Sequence, residues 1–150
     1  MRTLTTIFCF IFWTNFSLLA QLPNPALVGY WHNWNTANAP RIVLDQVDSR
    51  YNVINVSFAV PRTGTDYDMV FTPSSGTVAD FKSRIQNLQN QGKKVLLSLG
   101  GGGTTVNISS IAERDVFVTS TLNLLIDYGF DGFDIDFESN SLSNIWRPFD

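Results

Sequence analysis

Cysteine is almost absent from this 150-residue chain, and the single one, Cys9, lies in an apolar run near the N-terminus. Once that run is removed, no disulfide can form; export to an oxidising compartment permits disulfides without requiring them. Cys9 also lacks the Leu-x-x-small context of a lipidated cysteine and reads as one more apolar residue. Basic residues are outnumbered, 10 lysines and arginines against 13 aspartates and glutamates, so the basic face that nucleic acid demands is missing. No apolar run reaches the roughly 20 residues of a membrane-spanning helix, because Thr14 and Asn15 interrupt the one that starts at Ile7. The glycines of Gly100–Gly103 are followed by no Gly-Lys-Ser/Thr, and the dinucleotide spacing fails at Thr105. A close-packing turn therefore replaces a phosphate cradle as the reading of that segment.

What is present begins with Met1-Arg2, the apolar stretch Ile7–Trp13 and Ser17-Leu18-Leu19-Ala20 before Gln21. That order describes a secretory signal peptide over residues 1–20, with an uncleaved anchor as the alternative. The mature chain, residues 21–150, is the size of one domain. It keeps nine basic and thirteen acidic residues, net −4, and is expected outside the cell or in the periplasm, with no membrane partner after cleavage.

Strand and helix patterns then alternate. Ala26–Trp31 is a short apolar strand, and Arg41–Val47 after Pro40 is a short helical candidate. Asn52–Val60 (NVINVSFAV) is rich in β-branched residues and reads as a strand. Pro61–Gly76 has the composition of a loop. Thr77 with Asp80 three residues on marks a helix start; Val78, Phe81, Ile85 and Leu88 form its apolar face, and Gly92 stops it. Lys94–Leu99 is a third strand, followed by the glycines. A helix then runs from Ser110 to Gly129, with Phe117, Leu124, Leu125 and Tyr128 on one face. No clear periodicity marks Ser139–Asp150.

The fourth strand carries the anomaly. In Asp131-Gly132-Phe133-Asp134-Ile135-Asp136-Phe137-Glu138 apolar and acidic residues alternate, so Phe133, Ile135 and Phe137 share a face suited to a helix layer while Asp134, Asp136 and Glu138 share the other. Asp131 is out of phase and belongs to the turn before the strand. A doubly wound sheet would bury the carboxylates under a helix, at a cost no isolated pair could bear. The mouth of a barrel keeps the same row in solvent. The expected fold is therefore α/β, the first half (about four βα units) of a (β/α)8 TIM barrel, truncated. Same-face carboxylates about 7 Å apart repel by about 2.4 kcal/mol at an effective dielectric near 20, so at least one is expected to keep its proton. Glu138, longest and nearest the mouth, is the natural proton donor, with Asp136 and Asp134 below it. Donation to a leaving oxygen beside a second carboxylate is the chemistry of glycoside cleavage.

DGFDIDFE resembles the D-x-x-D-x-D-x-E signature of family 18 glycoside hydrolases, the chitinases, matching at Asp131, Asp134, Asp136 and Glu138. Ser98-Leu99-Gly100-Gly101 matches the family's S-x-G-G motif, and VGYWHNW is similar to the start of bacterial chitinase domains. The resemblance covers residues 26–140. It implies hydrolysis of β-1,4-linked N-acetylglucosamine polymers by substrate-assisted retaining catalysis, without metal or other cofactor. Glu138 is then the acid, and Asp136 orients the substrate's acetamido group. Asp134 holds Asp136, Asp131 supports the start of the strand, Ser98 bonds to the acidic cluster and Tyr30 lies beneath; Tyr30, Trp34, Ser98, Gly100 and Gly101 are the expected substrate-binding residues. The partners implied are chitin or N-acetylglucosamine oligosaccharides.

Other readings stand beside these. The acidic row could bind Mg²⁺ or Ca²⁺, although its spacing is not that of an EF-hand loop. Trp34 is open between sugar stacking and core packing, Trp31 reads as core, and lone His32 reads as a hydrogen-bonded loop residue. Asn55-Val56-Ser57 and Asn107-Ile108-Ser109 match the glycosylation pattern and read as chance. A non-catalytic chitin-binding relative, or an endo-β-N-acetylglucosaminidase acting on N-glycans, would share the acidic signature. The family's later aromatic residues have no counterpart here. A half-barrel also leaves two open edges, so residues 21–150 alone are expected to be poorly folded or self-associating, and catalytically silent.

Overall fold

A computed structural model describes residues 22–138 and Ser141; the expected signal segment and the rest of the tail lie outside the described residues. Among the described residues there are five strands and two α-helices. Strand β1 is Val28–His32, β2 Val53–Pro61, β3 Met69–Val70, β4 Lys94–Gly100 and β5 Gly132–Asp136. Helix α1 spans Val78–Asn90 and α2 spans Ile111–Tyr128. β1, β2, β4 and β5 are parallel neighbours in that order, and β3 pairs antiparallel with the end of β2.

The central strands β2 and β4 are the most buried and mostly apolar, with Asn55, Ser57 and Ser98 as their buried polar residues. Val56 of β2 and Val95, Leu97 and Leu99 of β4 are fully buried. Their side chains meet the apolar faces of α1 (Phe81, Ile85, Leu88) and α2 (Phe117, Leu124, Leu125, Tyr128). Phe71, Phe81, Tyr128 and Phe130 pack between these layers with ring centroids 5.4–6.2 Å apart. Trp31 is core, 6% exposed, with its indole N–H bonded to Ile42 O at 2.9 Å.

Local signals in the sequence explain the helix ends. Thr77 caps α1 by accepting from the Asp80 N–H, while Asp80 reaches back to the Thr77 N–H, a reciprocal capping box. Ser110 caps α2 by accepting from the Glu113 N–H, and Gly129 ends it in the left-handed region with φ of 76°.

Four expectations change. The helix expected over Arg41–Val47 is only a 3-10 turn, Leu44–Gln46; the flanking Val43 and Val47 are both extended, a state that suits β-branched residues. The loop expected over Pro61–Gly76 contains β3, because Met69 and Phe71 are drawn into the core. Val78, placed on the buried face of α1, is exposed at the helix's first turn. The helix layer expected over Phe133 and Ile135 is not supplied by the described residues, since α2 packs toward β3 and α1 and leaves these side chains 50% and 54% exposed; of the three, only Phe137 has an aromatic partner, the ring of Phe117. No helix among the described residues is long and apolar enough to cross a membrane.

Removing the cap hydroxyl should be felt across α1. Thr77→Ala is expected to cost about 1 kcal/mol, read as a lower denaturant midpoint at unchanged slope in a circular-dichroism titration.

Candidate active site

The ladder register brings the polar residues together. His32 pairs with Ser57, Ser57 with Ser98, and Ser98 with Asp134, so one level of the sheet is polar across all four parallel strands. Trp31, Val56, Leu97 and Phe133 occupy the next level and point the opposite way. The face that the helices leave uncovered therefore carries the acids.

Asp134 is the junction. Its Oδ2 accepts from the Tyr30 hydroxyl of β1 at 2.9 Å and from the Ser98 hydroxyl of β4 at 2.7 Å. Burial of the phenol end and its bond to Asp134 raise the Tyr30 pKa, against an opposing hydrogen bond from the Asn55 side chain. Tyr30 thus stays a donor through the neutral range. Asp136 follows Asp134 by two residues along the same face; β5 ends there, so Glu138, expected on the same strand, lies two residues beyond its end.

The glycines shape the upper end. Gly101 N–H donates to Asp136 O at 2.8 Å. A Cβ on Gly100 would lie 2.5 Å from that same carbonyl oxygen, and Gly100 has φ of 109°. A Cβ on Gly101 would enter the Phe58 ring at 2.6 Å, and one on Gly102 would face the Glu138 carboxylate at 3.6 Å. The turn expected from the sequence is a close-packing turn indeed, and its ligand is the backbone of β5.

Asp131 stands at the opposite end of β5. Its carboxylate accepts from Lys94 Nζ at 2.8 Å, Val95 N at 2.9 Å and Gln89 Nε2 at 3.0 Å, fixing β5 to β4 and α1. Burial pushes its pKa up, but the Lys94, Val95 and Gln89 hydrogen bonds outweigh burial and hold it below the ordinary carboxylate range.

Trp34 follows β1, 45% exposed, and stacks on Phe58 with ring centroids 5.9 Å apart and planes 20° apart. Phe58 in turn lies 6.4 Å from the Tyr30 ring. The sequence did not single out Phe58, one of several apolar residues in β2; the irregularity between Ser57 and Ala59 that turns it to the open face has no local signature. His32 departs from its expected role. It ends β1, packs 5.2 Å from Trp34, and its Nε2 is buried without a partner among the described residues. Asn55 of the first glycosylation-like triplet is 4% exposed inside β2. Among the described residues, no three His, Cys, Asp or Glu side chains converge on a metal-sized position.

Parallel strands, intervening helices and carboxylates rising toward the strand C-termini are the makings of a TIM-barrel glycosidase. The chain belongs to the glycosyl hydrolases family 18, whose model matches residues 26–146. It is 47% identical over 117 residues to Chitinase Chi52 of Paenibacillus xylanexedens, with 78% of this chain and 22% of that protein aligned. Chitinase D of Niallia circulans is 44% identical over 118 residues, again covering 78% and 22%. The crystal structure of a family GH18 chitinase from Chromobacterium violaceum superposes with a TM-score of 0.70 at 42% identity, covering 77% of this chain and 31% of that one. The chain thus spans about a fifth of the length of each of these two curated relatives.

Two outcomes follow from this geometry. Gly129→Ala adds only left-handed strain, about 1 kcal/mol, since nothing lies within 4 Å of a Cβ there. Gly100→Ala adds a backbone collision and should cost at least about 3 kcal/mol, which paired chemical denaturation curves would resolve. The depressed Asp131 pKa contributes stability that is complete above the ordinary carboxyl value of about 3.9 and is lost as pH falls through the folded value. Asp131→Asn should therefore flatten the acid limb of a stability–pH curve without altering its neutral plateau's slope.

Proposed function

We propose that this chain carries the proton donor and the acetamido-orienting carboxylate of a chitin-hydrolysing active site, in a protein exported to meet its polymer. The observation that carries the reading is the junction at Asp134. Hydroxyls from two other strands converge on one of its oxygens, while the glycine turn ties the backbone of Asp136 and brings Gly102 against Glu138. The three acids are thereby graded from most to least restrained toward the mouth. The relatives named as chitinases favour the same substrate class.

In the proposed reaction Glu138 gives its proton to the glycosidic oxygen as the bond to the anomeric carbon breaks. The substrate's acetamido carbonyl oxygen attacks that carbon from the other side, so no enzyme nucleophile is needed. Asp136 holds the acetamido N–H and balances the positive charge that develops on the cyclised group. Asp134, fixed by Tyr30 and Ser98, keeps Asp136 oriented. Water then opens the cyclic intermediate, yielding its proton to the Glu138 carboxylate, and two inversions leave the configuration retained. Asp131 contributes from a distance by fixing the start of β5.

In the full gene product, Glu138→Gln is expected to lower turnover of N-acetylglucosamine oligomers by more than about 10³-fold while their affinity stays within a few-fold. Retained turnover would remove Glu138 from the role, and binding without turnover in the unmutated protein would favour a chitin-binding relative.

A further inference from the structure

We propose that Arg41 is a positioning residue that sets the Trp34–Phe58 stack and, resting on the saccharide reading above, thereby governs how the protein discriminates long oligomers from short ones. Trp34 raises a physical question that burial does not answer, since nearly half its surface is open and yet it lies face to face with Phe58 at 20°. Its two chain neighbours answer it. Asn35 Oδ1 accepts the Arg41 backbone N–H at 2.9 Å. The Asn33 carbonyl accepts from Arg41 Nη1 at 3.4 Å and from the Ser74 hydroxyl. The Asn33 side chain uses both its ends on the segment after β3, donating to Thr72 O at 2.8 Å and accepting from Ser74 N at 2.9 Å. The Arg41 fork closes the arrangement by donating from Nη1 to the Ser74 hydroxyl and from Nη2 to the Ser75 hydroxyl.

Arg41 therefore spans two segments, the turn after β1 and the segment after β3, with Trp34 between the points it fixes. Among the described residues its partners are all neutral oxygens, and it forms no ion pair. Its role is one of shape, using a planar fork whose donors diverge at fixed angles, which a single ammonium cannot reproduce. The stack it supports borders a cleft of about 230 Å³ shared with Asn33, Ser57, Val60 and Ser74.

The position of that stack separates it from the chemistry. Phe58 stands between Trp34 and Tyr30, and Tyr30 bonds to Asp134. A sugar ring seated on Trp34 is thus two ring-to-ring steps from the residue under the acidic row. Contacts made there with an outlying ring, equal in ground and transition states, change KM and not kcat. Only oligomers long enough to reach the stack would feel them.

The test uses the full gene product with Arg41→Ala, Arg41→Lys and Ser74→Ala/Ser75→Ala, the last cutting the fork's far contacts while leaving Arg41 in place. For a six-unit N-acetylglucosamine oligomer KM is expected to rise about tenfold with kcat within about twofold, and for a three-unit oligomer both should stay near the parent values. Arg41→Lys should not rescue, and Trp34→Ala should give the same length-dependent loss, which Arg41→Ala added to it does not deepen. A second readout needs no sugar. In protein labelled with 5-fluorotryptophan, the ¹⁹F resonance assigned to Trp34 by its loss in Trp34→Phe should shift or broaden in the Arg41 and serine variants. An unmoved resonance overturns the positioning role. A moved resonance with length-independent KM overturns the specificity role alone. A parent protein that neither binds nor cleaves either oligomer overturns the saccharide reading and the length discrimination with it, while the resonance still decides what Arg41 positions.

Discussion

Two hydroxyls from two parallel strands converge on one atom of a third, Oδ2 of Asp134. Tyr30 arrives from β1 and Ser98 from β4, so the carboxylate of β5 is fixed relative to both an edge strand and a central strand. A carboxylate in this place is tolerable only because the face it occupies is left free of helices; under a helix its desolvation would outweigh the two hydroxyl bonds. The division of the sheet into a helix face of Val56, Leu97 and Leu99 and an open face of Ser57, Ser98 and Asp134 follows from that one requirement. Once the division is made, strand geometry delivers Asp136 to the same side, and Glu138 follows beyond the strand's end beside Gly102.

The second constraint is backbone proximity. The acidic strand ends where Gly100 meets the Asp136 carbonyl so closely that no side chain fits, and Gly101 donates to the same oxygen. Two motifs that look independent along the chain, one glycine-rich and one acidic, are halves of a single contact between the ends of β4 and β5. Asp131 makes the corresponding contact at the other end of β5, with Lys94 and Val95. The strand that carries the acids is therefore clamped at top and bottom by the same neighbour.

Much of this could be read from the residues alone because the signals were local and periodic. The period-two alternation of Phe133–Glu138 placed the acids on one face, and the Thr77 and Ser110 caps marked both helix starts. What escaped depended on contacts between distant segments. Phe58 is turned outward by an irregularity between β2 and β4 that no residue of β2 announces. Arg41 looked like the first residue of a helix, yet it serves as a bridge to Ser74 and Ser75, more than thirty residues away. His32 resembled a loop residue, and its register with Ser57, visible only once β1 and β2 are paired, puts it at the edge of the polar row.

β5 has a hydrogen-bonded neighbour among the described residues on one side only, β4, and its outward Phe133 and Ile135 are half exposed. Strand edges with little apolar cover are where local opening begins, ahead of global unfolding. Among the described residues, the strand that carries the acids is thus less covered than β2 and β4, each of which pairs with a strand on both sides.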